Sequence, residues 1–581
     1  MEKHNYIDEV QRYVKFKYPQ TFKFRPQQFE AICEMLKSYD EDPNSVFLLD
    51  CPTGGGKSII AMIFAGVLTE RGNRGYILAS DLSLHEQYVK DFRKMQLWNW
   101  GNIKGVDNYT CSVNGEKFSV GECKNKGTTY EAAESLPCFK HCGYLTSRKK
   151  SIKSPVTLLT YPYALIQRNY VEQQQQRTGR GSPFPQRDFV ICDEAHKLLD
   201  IVQSHFSPIV STEIVGKTQK LVEGLGDIGQ RPPSVDFKRL EKAINLIYEH
   251  EDHSTLLKLL REVTRLLADL VKSTSQIREN AAEEFVDESL PMEWLAVFNL
   301  ADWVKDVHCK LEDYCEIIDK VGLEKLVKNP GEKSITFNCI DEYYLLQKHF
   351  FTKFGFKLLM TATMGGAGDF MRNHGIKKAQ YFKVESNFNW ERSPIIFYPG
   401  KKMSARFLTE NLQWAIDTVT RIIREHSEDS GIIHSGSYEL NTKIFDGLPK
   451  DVKKRILLYK GSGEKELALK KMIKKKGMVL MGPSILEGLN MVDDQSRFQI
   501  FLKVPYPHLG DKYVAAKLEY SQKWYNWKTE VSIAQGIGRS IRTPNDWAIT
   551  YFLDGCLADV LRDPTALTGS NFRERLRVVY R

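Results

Sequence analysis

The chain has 581 residues, and 82 Lys and Arg against 73 Asp and Glu leave a formal charge of +9. Hydrophobic residues at 42% and charged residues at 27% supply apolar material for several cores and exclude a disordered or collagen-like chain. No apolar run approaches the ~20 residues that span a bilayer, and the N-terminal Met1-Glu2-Lys3-His4-Asn5-Tyr6 lacks the apolar core of a secretory signal. A cytoplasmic protein without a membrane segment is expected, with its 11 cysteines as thiols or metal ligands rather than disulfides.

Two regions alternate short apolar or β-branched runs with helical patterns, as a parallel α/β sheet requires. The first holds Ser45–Leu49, Gly75–Ala79, Pro155–Leu159, Phe189–Cys192 and Lys357–Met360, and the second holds Ile395–Tyr398, Gly431–His434, Met478–Met481 and Phe498–Leu502. Two nucleotide-fold domains in tandem are expected. Three stretches interrupt the alternation. Residues 105–150 are cysteine-rich and irregular, and residues 171–186, polar with Gly and Pro, read as a mobile surface loop. From about 200 to 350 the pattern is helical, with Leu256, Leu259, Leu260, Val263, Leu266, Leu267 and Leu270 at i, i+3, i+4 spacing. That periodicity predicts an all-helical insertion in the first domain, its leucines packing a core.

After the run Val46-Phe47-Leu48-Leu49 comes Asp50-Cys51-Pro52-Thr53-Gly54-Gly55-Gly56-Lys57-Ser58, followed by the helical pattern Ile59-Ile60-Ala61-Met62. Strand, glycine loop and helix form the context of a P-loop, because glycines let backbone N–H groups close around phosphate oxygens at a helix N-terminus. Lys57 is expected to reach the β- and γ-phosphates and the Ser58 hydroxyl to ligate Mg²⁺. Cys51 stands where the general pattern has its first glycine. Farther on, Phe189-Val190-Ile191-Cys192 delivers Asp193 and Glu194 at the C-terminal end of a buried strand, where ligands of open α/β sheets bind. Asp193 is expected to hold the Mg²⁺ shell and Glu194 to orient or deprotonate the attacking water. ATP hydrolysis with Mg²⁺ follows from the pair of motifs.

Asp193-Glu194-Ala195-His196 resembles the DEAH box of superfamily 2 helicases, and other short strings resemble that family's motifs in order. Arg25-Pro26-Gln27-Gln28 resembles the adenine-sensing Q motif, Ser80 through Gln87 motif Ia, and Thr361-Ala362-Thr363 motif III. Ser484 through Asn490, including Glu487 and Gly488, resembles motif V, and Gln535-Gly536-Ile537-Gly538-Arg539-Ser540-Ile541-Arg542 resembles motif VI. The resemblance implies that Arg25, Gln28, Thr53, Gly54, Gly55, Gly56, Glu487, Gly488 and Gln535 join Lys57 and Ser58 around the nucleotide. It also implies that Gln28 contacts adenine and that Arg539 and Arg542 act as arginine fingers across an inter-domain cleft.

Cys111, Cys123, Cys138 and Cys142 lie between the motif Ia and DEAH strings with spacings x11, x14 and x3. Four thiolates at such spacing suit either Zn²⁺ or a [4Fe–4S] cluster, and zinc sites usually show paired short spacings, of which only one is present. Helicases of the XPD/DinG (Rad3-like) family carry cluster cysteines in this interval, so the resemblance implies a [4Fe–4S] cluster on these four residues, with His141 a spare ligand. The same family inserts a helical Arch domain where the helical stretch lies. Arg148, Lys149, Lys150 and Lys153, and the run Lys470, Lys471, Lys474, Lys475 and Lys476, are candidate phosphate contacts or solvated helix faces. Tyr144, Tyr161, Tyr163 and Tyr506 are candidate base-stacking aromatics indistinguishable by sequence from core residues.

The expected architecture is α/β, with two tandem RecA-like P-loop domains. Domain 1 comprises 1–104, 151–200 and 351–385, interrupted by an iron–sulfur insertion at 105–150 and an Arch-like insertion at 201–350, and domain 2 comprises 386–581. The expected activity is ATP-dependent unwinding of forked DNA by a monomer moving 5′→3′ on a single strand, the direction and the DNA substrate being implied by the resemblance. The alternatives are a translocase that remodels protein–DNA complexes without unwinding and an ATP-switched scaffold.

Overall fold

The computed structural model describes residues 5–580 apart from 53, 122, 124–135, 172–183, 285–290, 387, 460–461, 484–490, 492, 542–545 and 568–570. In chain order the strands are β1 (Val46–Asp50), β2 (Gly75–Ala79), β3 (Gly101–Asn102), β4 (Val156–Thr160), β5 (Phe189–Cys192), β6 (Ile209–Val210), β7 (Leu326–Pro330), β8 (Ile335–Cys339) and β9 (Phe356–Thr361). They continue with β10 (Ala379–Lys383), β11 (Ile395–Phe397), β12 (Gly431–His434), β13 (Ile456–Leu458), β14 (Val479–Gly482), β15 (Phe498–Phe501), β16 (Ile549–Phe552) and β17 (Leu576–Val578). Two seven-stranded sheets, both parallel throughout, form the two lobes: β10, β1, β9, β5, β2, β4, β3 and β13, β14, β12, β15, β16, β11, β17. Strands β2, β4, β5, β12, β14 and β15 are buried at every position because helices cover both faces, which is why they read as mainly apolar runs, broken only by buried polar residues such as Gln499 and His434.

The order of the first sheet sets the site. β9 lies between β1 and β5, with Asp50 in register with Thr361 and Cys192 with Leu359. The segments that leave the C-terminal ends of these three neighbours therefore emerge side by side, where parallel sheets bind their ligands.

The insertion differs from the expectation of an all-helical unit. Four helices, Glu213–Asp227, Phe237–Glu249, His253–Glu284 and Met292–Val321, carry most of it. A three-stranded antiparallel sheet, β6, β8, β7, completes it at its base. β7 and β8 are a hairpin closed by Gly331 N–H donating to the Ser334 carbonyl at 2.7 Å. Ile335, Phe337 and Cys339 alternate inward on β8, a period-2 signal that is short beside the long leucine stripe.

The lobes interlock. Trp527, on helix Gln522–Ile537 of the second lobe, is 1% exposed and packs within the apolar core of the first, where its indole N–H donates to the Met364 carbonyl at 2.8 Å. The next residue, Lys528, pairs with Asp200 at 2.6 Å. At the other end of the interface Lys517, buried on helix Lys512–Tyr520, donates to Glu342 at 2.7 Å and to the Ile340 carbonyl at 2.9 Å. Most of the loop expected at 171–186 lies outside the described residues. Among the described residues no helix is long and apolar enough to cross a membrane.

Candidate active site

The glycine loop leaves β1 and turns into helix Lys57–Glu70. Gly54 and Gly56 have φ of 79° and 84°, a left-handed backbone that glycine adopts without steric cost. Gly56 is doubly constrained, because a Cβ there would collide with the Gln28 amide nitrogen. Gln28 is itself tied into the loop: its Oε1 accepts the Arg25 N–H at 2.8 Å, and its Nε2 donates to the carbonyls of Gly55 at 2.9 Å and Gly56 at 3.3 Å. The Arg25 guanidinium donates to the Gly54 carbonyl. The glutamine expected to meet adenine thus braces the phosphate loop with its amide nitrogen, while its amide oxygen is held by the Arg25 backbone. Cys51 is fully buried, and its Sγ would lie 2.7 Å from a Cβ at Gly55, so the thiol fills the space beneath the loop. Burial pushes that thiol up to about 12, which keeps it neutral beside Lys57.

β5 delivers Asp193 buried and Glu194 half-buried. Glu194 has φ of 52°, a left-handed conformation that costs a non-glycine residue about 1–3 kcal/mol and is found where a site over-determines the backbone. The turn brings its carboxylate 3.6 Å from the Lys57 ammonium. Burial would raise the Glu194 carboxyl, but Lys57 foremost, with Lys197 and Arg539, outweighs it and holds the group below the usual range. Burial pushes the Asp193 carboxyl up, against the pull of Lys57. Its Oδ1 accepts the Glu194 N–H at 2.8 Å, and its Oδ2 accepts the Tyr88 hydroxyl at 2.8 Å.

His196 joins three motifs. Its Nδ1 lies 2.8 Å from the Thr361 hydroxyl and 3.2 Å from that of Thr363, and its Nε2 meets the Gln535 side-chain amide from the second lobe. Burial lowers its pKa to about 4, so near neutrality the ring is uncharged. With the proton on Nδ1, Nε2 accepts from Gln535 while Nδ1–H donates to a threonine hydroxyl, which satisfies both ring nitrogens.

A cleft of about 840 Å³ opens between the lobes. Arg25, Gln28, Gly54, Gly56, Lys57, Ser58, Asp193, Glu194, Gln535 and Arg539 all line it, as do His196, Lys197 and Thr363. Gly55 sits within the same loop. Thr53, Glu487, Gly488 and Arg542 lie outside the described residues. His196 was visible in the sequence only as the last letter of a motif, and its bridging role required the fold. Tyr88 gave no signal beyond an apolar position on helix Leu82–Lys94. Of the aromatics considered for stacking, Tyr144, Tyr161 and Tyr163 are buried core residues.

The cysteine segment packs against the first lobe, with Cys111, Cys123 and Cys142 buried, Cys138 half-buried and none of the four in a disulfide. Cys142 is raised by burial and further by the nearby Cys138 and Cys111 thiols, and Cys111 Sγ lies against Gly121. Among the described residues no three or more His, Cys, Asp or Glu side chains stand at metal-ligand spacing. The donor set fits a four-thiolate centre in its chemistry, with Cys138 and Cys111 near Cys142.

Two family models match the chain: the type III restriction enzyme res subunit over residues 21–212 and the helicase C-terminal domain over 420–560. The second falls on the lobe that supplies Gln535 and Arg539. In sequence the chain is similar to ATP-dependent helicases, and in fold it is like the XPD helicases. It is 20% identical to a probable ATP-dependent helicase of Methanocaldococcus jannaschii, over 95% of this chain and 94% of that one. It is 21% identical to the ATP-dependent DNA helicase YoaA of Haemophilus influenzae, over 83% and 76% respectively. The solved structure of S. tokodaii Xpd4 superposes with a TM-score of 0.57 at 16% identity, and an XPD helicase with 0.58 at 16%. Each covers 96% of this chain and 100% of its own. The cleft offers groups that could hold a nucleotide and a metal: the glycine loop and Lys57 suit phosphate, and Ser58 and Asp193 are oxygen donors.

Proposed function

We propose that this XPD-like helicase is an ATP-driven motor that moves 5′→3′ along single-stranded DNA as a monomer and opens duplexes ahead of it in repair, recombination or replication. The observation that carries this reading is the cleft itself: Lys57 and Glu194 on one lobe face Gln535 and Arg539 on the other. A nucleotide held there touches both lobes, so its cleavage alters their mutual attraction, which is how hydrolysis becomes movement. Lys57 and the backbone N–H groups of Gly54–Ser58 hold the phosphates, Glu194 takes the proton of the attacking water, and Arg539 meets the charge that develops on the transferred phosphoryl group. Ser58 and Asp193 would hold Mg²⁺, which neutralises phosphate charge. Gln28 and Arg25 keep the loop in shape, and Arg542, Thr53, Glu487 and Gly488 complete the set by resemblance. The neutral His196 carries the state of the cleft to Thr361 and Thr363.

Strand displacement on a 5′-tailed DNA duplex is expected to need ATP and to vanish in Lys57→Ala. Running 3′-tailed and RNA substrates in parallel decides direction and sugar preference. DNA-stimulated ATPase without duplex opening would favour the translocase reading, and negligible turnover the scaffold.

Cys111, Cys123, Cys138 and Cys142 are proposed to hold a [4Fe–4S] cluster, which would staple their segment beside the helix that bears Arg148, Lys149, Lys150 and Lys153. Protein purified without oxygen is expected to contain about four irons per chain and to absorb broadly near ~400 nm. Stoichiometric zinc in a colourless preparation would contradict the cluster.

A further inference from the structure

Tyr88 sits on helix Leu82–Lys94, whose first turn is fixed by Asp81 Oδ1 accepting the Leu84 N–H at 2.9 Å. The same helix lines the cleft through Ser83, Leu84, Gln87 and Asp91. The Tyr88 ring is fully buried and packs edge-on against Phe92 with centroids 6.1 Å apart. A hydroxyl in such a place costs free energy unless it is bonded, and phenylalanine would fill the same volume without that cost. The hydroxyl is bonded, and to two residues of one function: it donates to Asp193 Oδ2 at 2.8 Å, and the Ser58 hydroxyl faces the same phenolic oxygen. Asp193 Oδ1 is meanwhile held by the Glu194 N–H at 2.8 Å. Both carboxylate oxygens are therefore pinned, and the plane of the group is set by a residue 105 positions away in the sequence.

We propose that Tyr88 is a positioning residue for the Mg²⁺–nucleotide site, aligning Asp193 and Ser58 from behind so that they present a preformed pair of oxygen donors. The inference rests on the assignment of Asp193 and Ser58 as the metal-holding residues. A carboxylate with a free rotor spreads over several orientations, and outer-shell partners that remove this freedom are worth about 10–100-fold in metal affinity. Tyr88 stands behind the wall of the cleft and does not line it, so its loss is expected to act through Asp193 and Ser58.

The test measures binding. A fluorescent nonhydrolysable ATP analogue is titrated into full-length protein in EDTA and again over a range of Mg²⁺ concentrations, for the parent, Tyr88→Phe and Asp193→Asn. Tyr88→Phe keeps the ring, and its affinity in EDTA reports an intact phosphate loop. The expected result is unchanged affinity in EDTA and a Mg²⁺ midpoint raised about tenfold, with Asp193→Asn raising it at least as far. A direct Mn²⁺ titration read by electron paramagnetic resonance should show the same loss. An unchanged midpoint in Tyr88→Phe, beside a raised one in Asp193→Asn, overturns the role of Tyr88 and leaves the metal assignment standing. Equal loss of affinity with and without Mg²⁺ in Tyr88→Phe also overturns it, since that is the mark of a packing residue. A midpoint unmoved in Asp193→Asn overturns the assignment and the inference together.

Discussion

Glu194→Gln is expected to lower the turnover of ATP by about 10²–10⁴-fold while leaving ATP affinity within a few-fold of the parent, because a positioned general base contributes that much to proton transfer. The amide has the shape of the carboxylate and none of its basicity. In the folded protein the carboxylate is ionised for a structural reason: Lys57 stands 3.6 Å away, and the left-handed turn at φ 52° fixes the approach. Removing the negative charge also releases Lys57 from its ion pair, so phosphate binding should hold or tighten. The two effects separate in a rapid-quench experiment, in which a single turnover is slowed by the same factor as steady-state turnover while equilibrium binding of nucleotide stays. A variant that turns over within threefold of the parent would mean that another group activates the water. A variant that loses affinity in proportion to turnover would mean that the charge of Glu194 supports the loop rather than the chemistry.

How much of this was readable from the chain depends on the range of each interaction. The glycine loop and the DEAH string are contiguous, and their chemistry is imposed by residues next to one another, so both were legible. So were the central strands, because a parallel strand covered on both faces is mainly apolar. β10, with the sequence Ala379-Gln380-Tyr381-Phe382-Lys383, lies at the edge of its sheet and carries polar residues on its open side, so it gave no such signal. β7 and β8 were hidden by the longer leucine periodicity beside them. The braces of the site were the least legible. Gln28 meets the loop 27 residues on, Tyr88 meets Asp193 at a separation of 105, and Gln535 meets His196 at 339. A family resemblance can place Gln535 in the cleft, but that His196 is its partner, uncharged and shared with Thr361, follows only from the way β5 and β9 lie side by side.

Arg539→Ala is expected to reduce turnover by about 10³-fold or more with a much smaller change in ATP affinity, since an arginine finger delivers its charge to the transition state rather than to the bound nucleotide. Arg539 lines the cleft from the second lobe and contributes to holding the Glu194 carboxyl down, which places its charge near the reacting end of the site. It follows Gln535 on the same segment, beyond the last turn of helix Gln522–Ile537. That helix is anchored to the first lobe at Trp527, Lys528 and Gln535, so the position of the guanidinium reports how the lobes are seated. Arg539→Lys should recover little, because a point charge on a flexible stem cannot reproduce a planar fork aimed at phosphoryl oxygens. Gln535→Ala offers the contrasting case: Arg539 keeps its charge, but the link to His196 and so to Thr361 and Thr363 is cut. Basal hydrolysis should then survive better than its stimulation by single-stranded DNA. Measuring kcat and KM with and without DNA for the three variants distinguishes these roles. A rise in KM with kcat unchanged in Arg539→Ala would make it a ground-state contact, and equal loss of basal and stimulated rates in Gln535→Ala would place communication between the lobes on Trp527 and Lys528 instead.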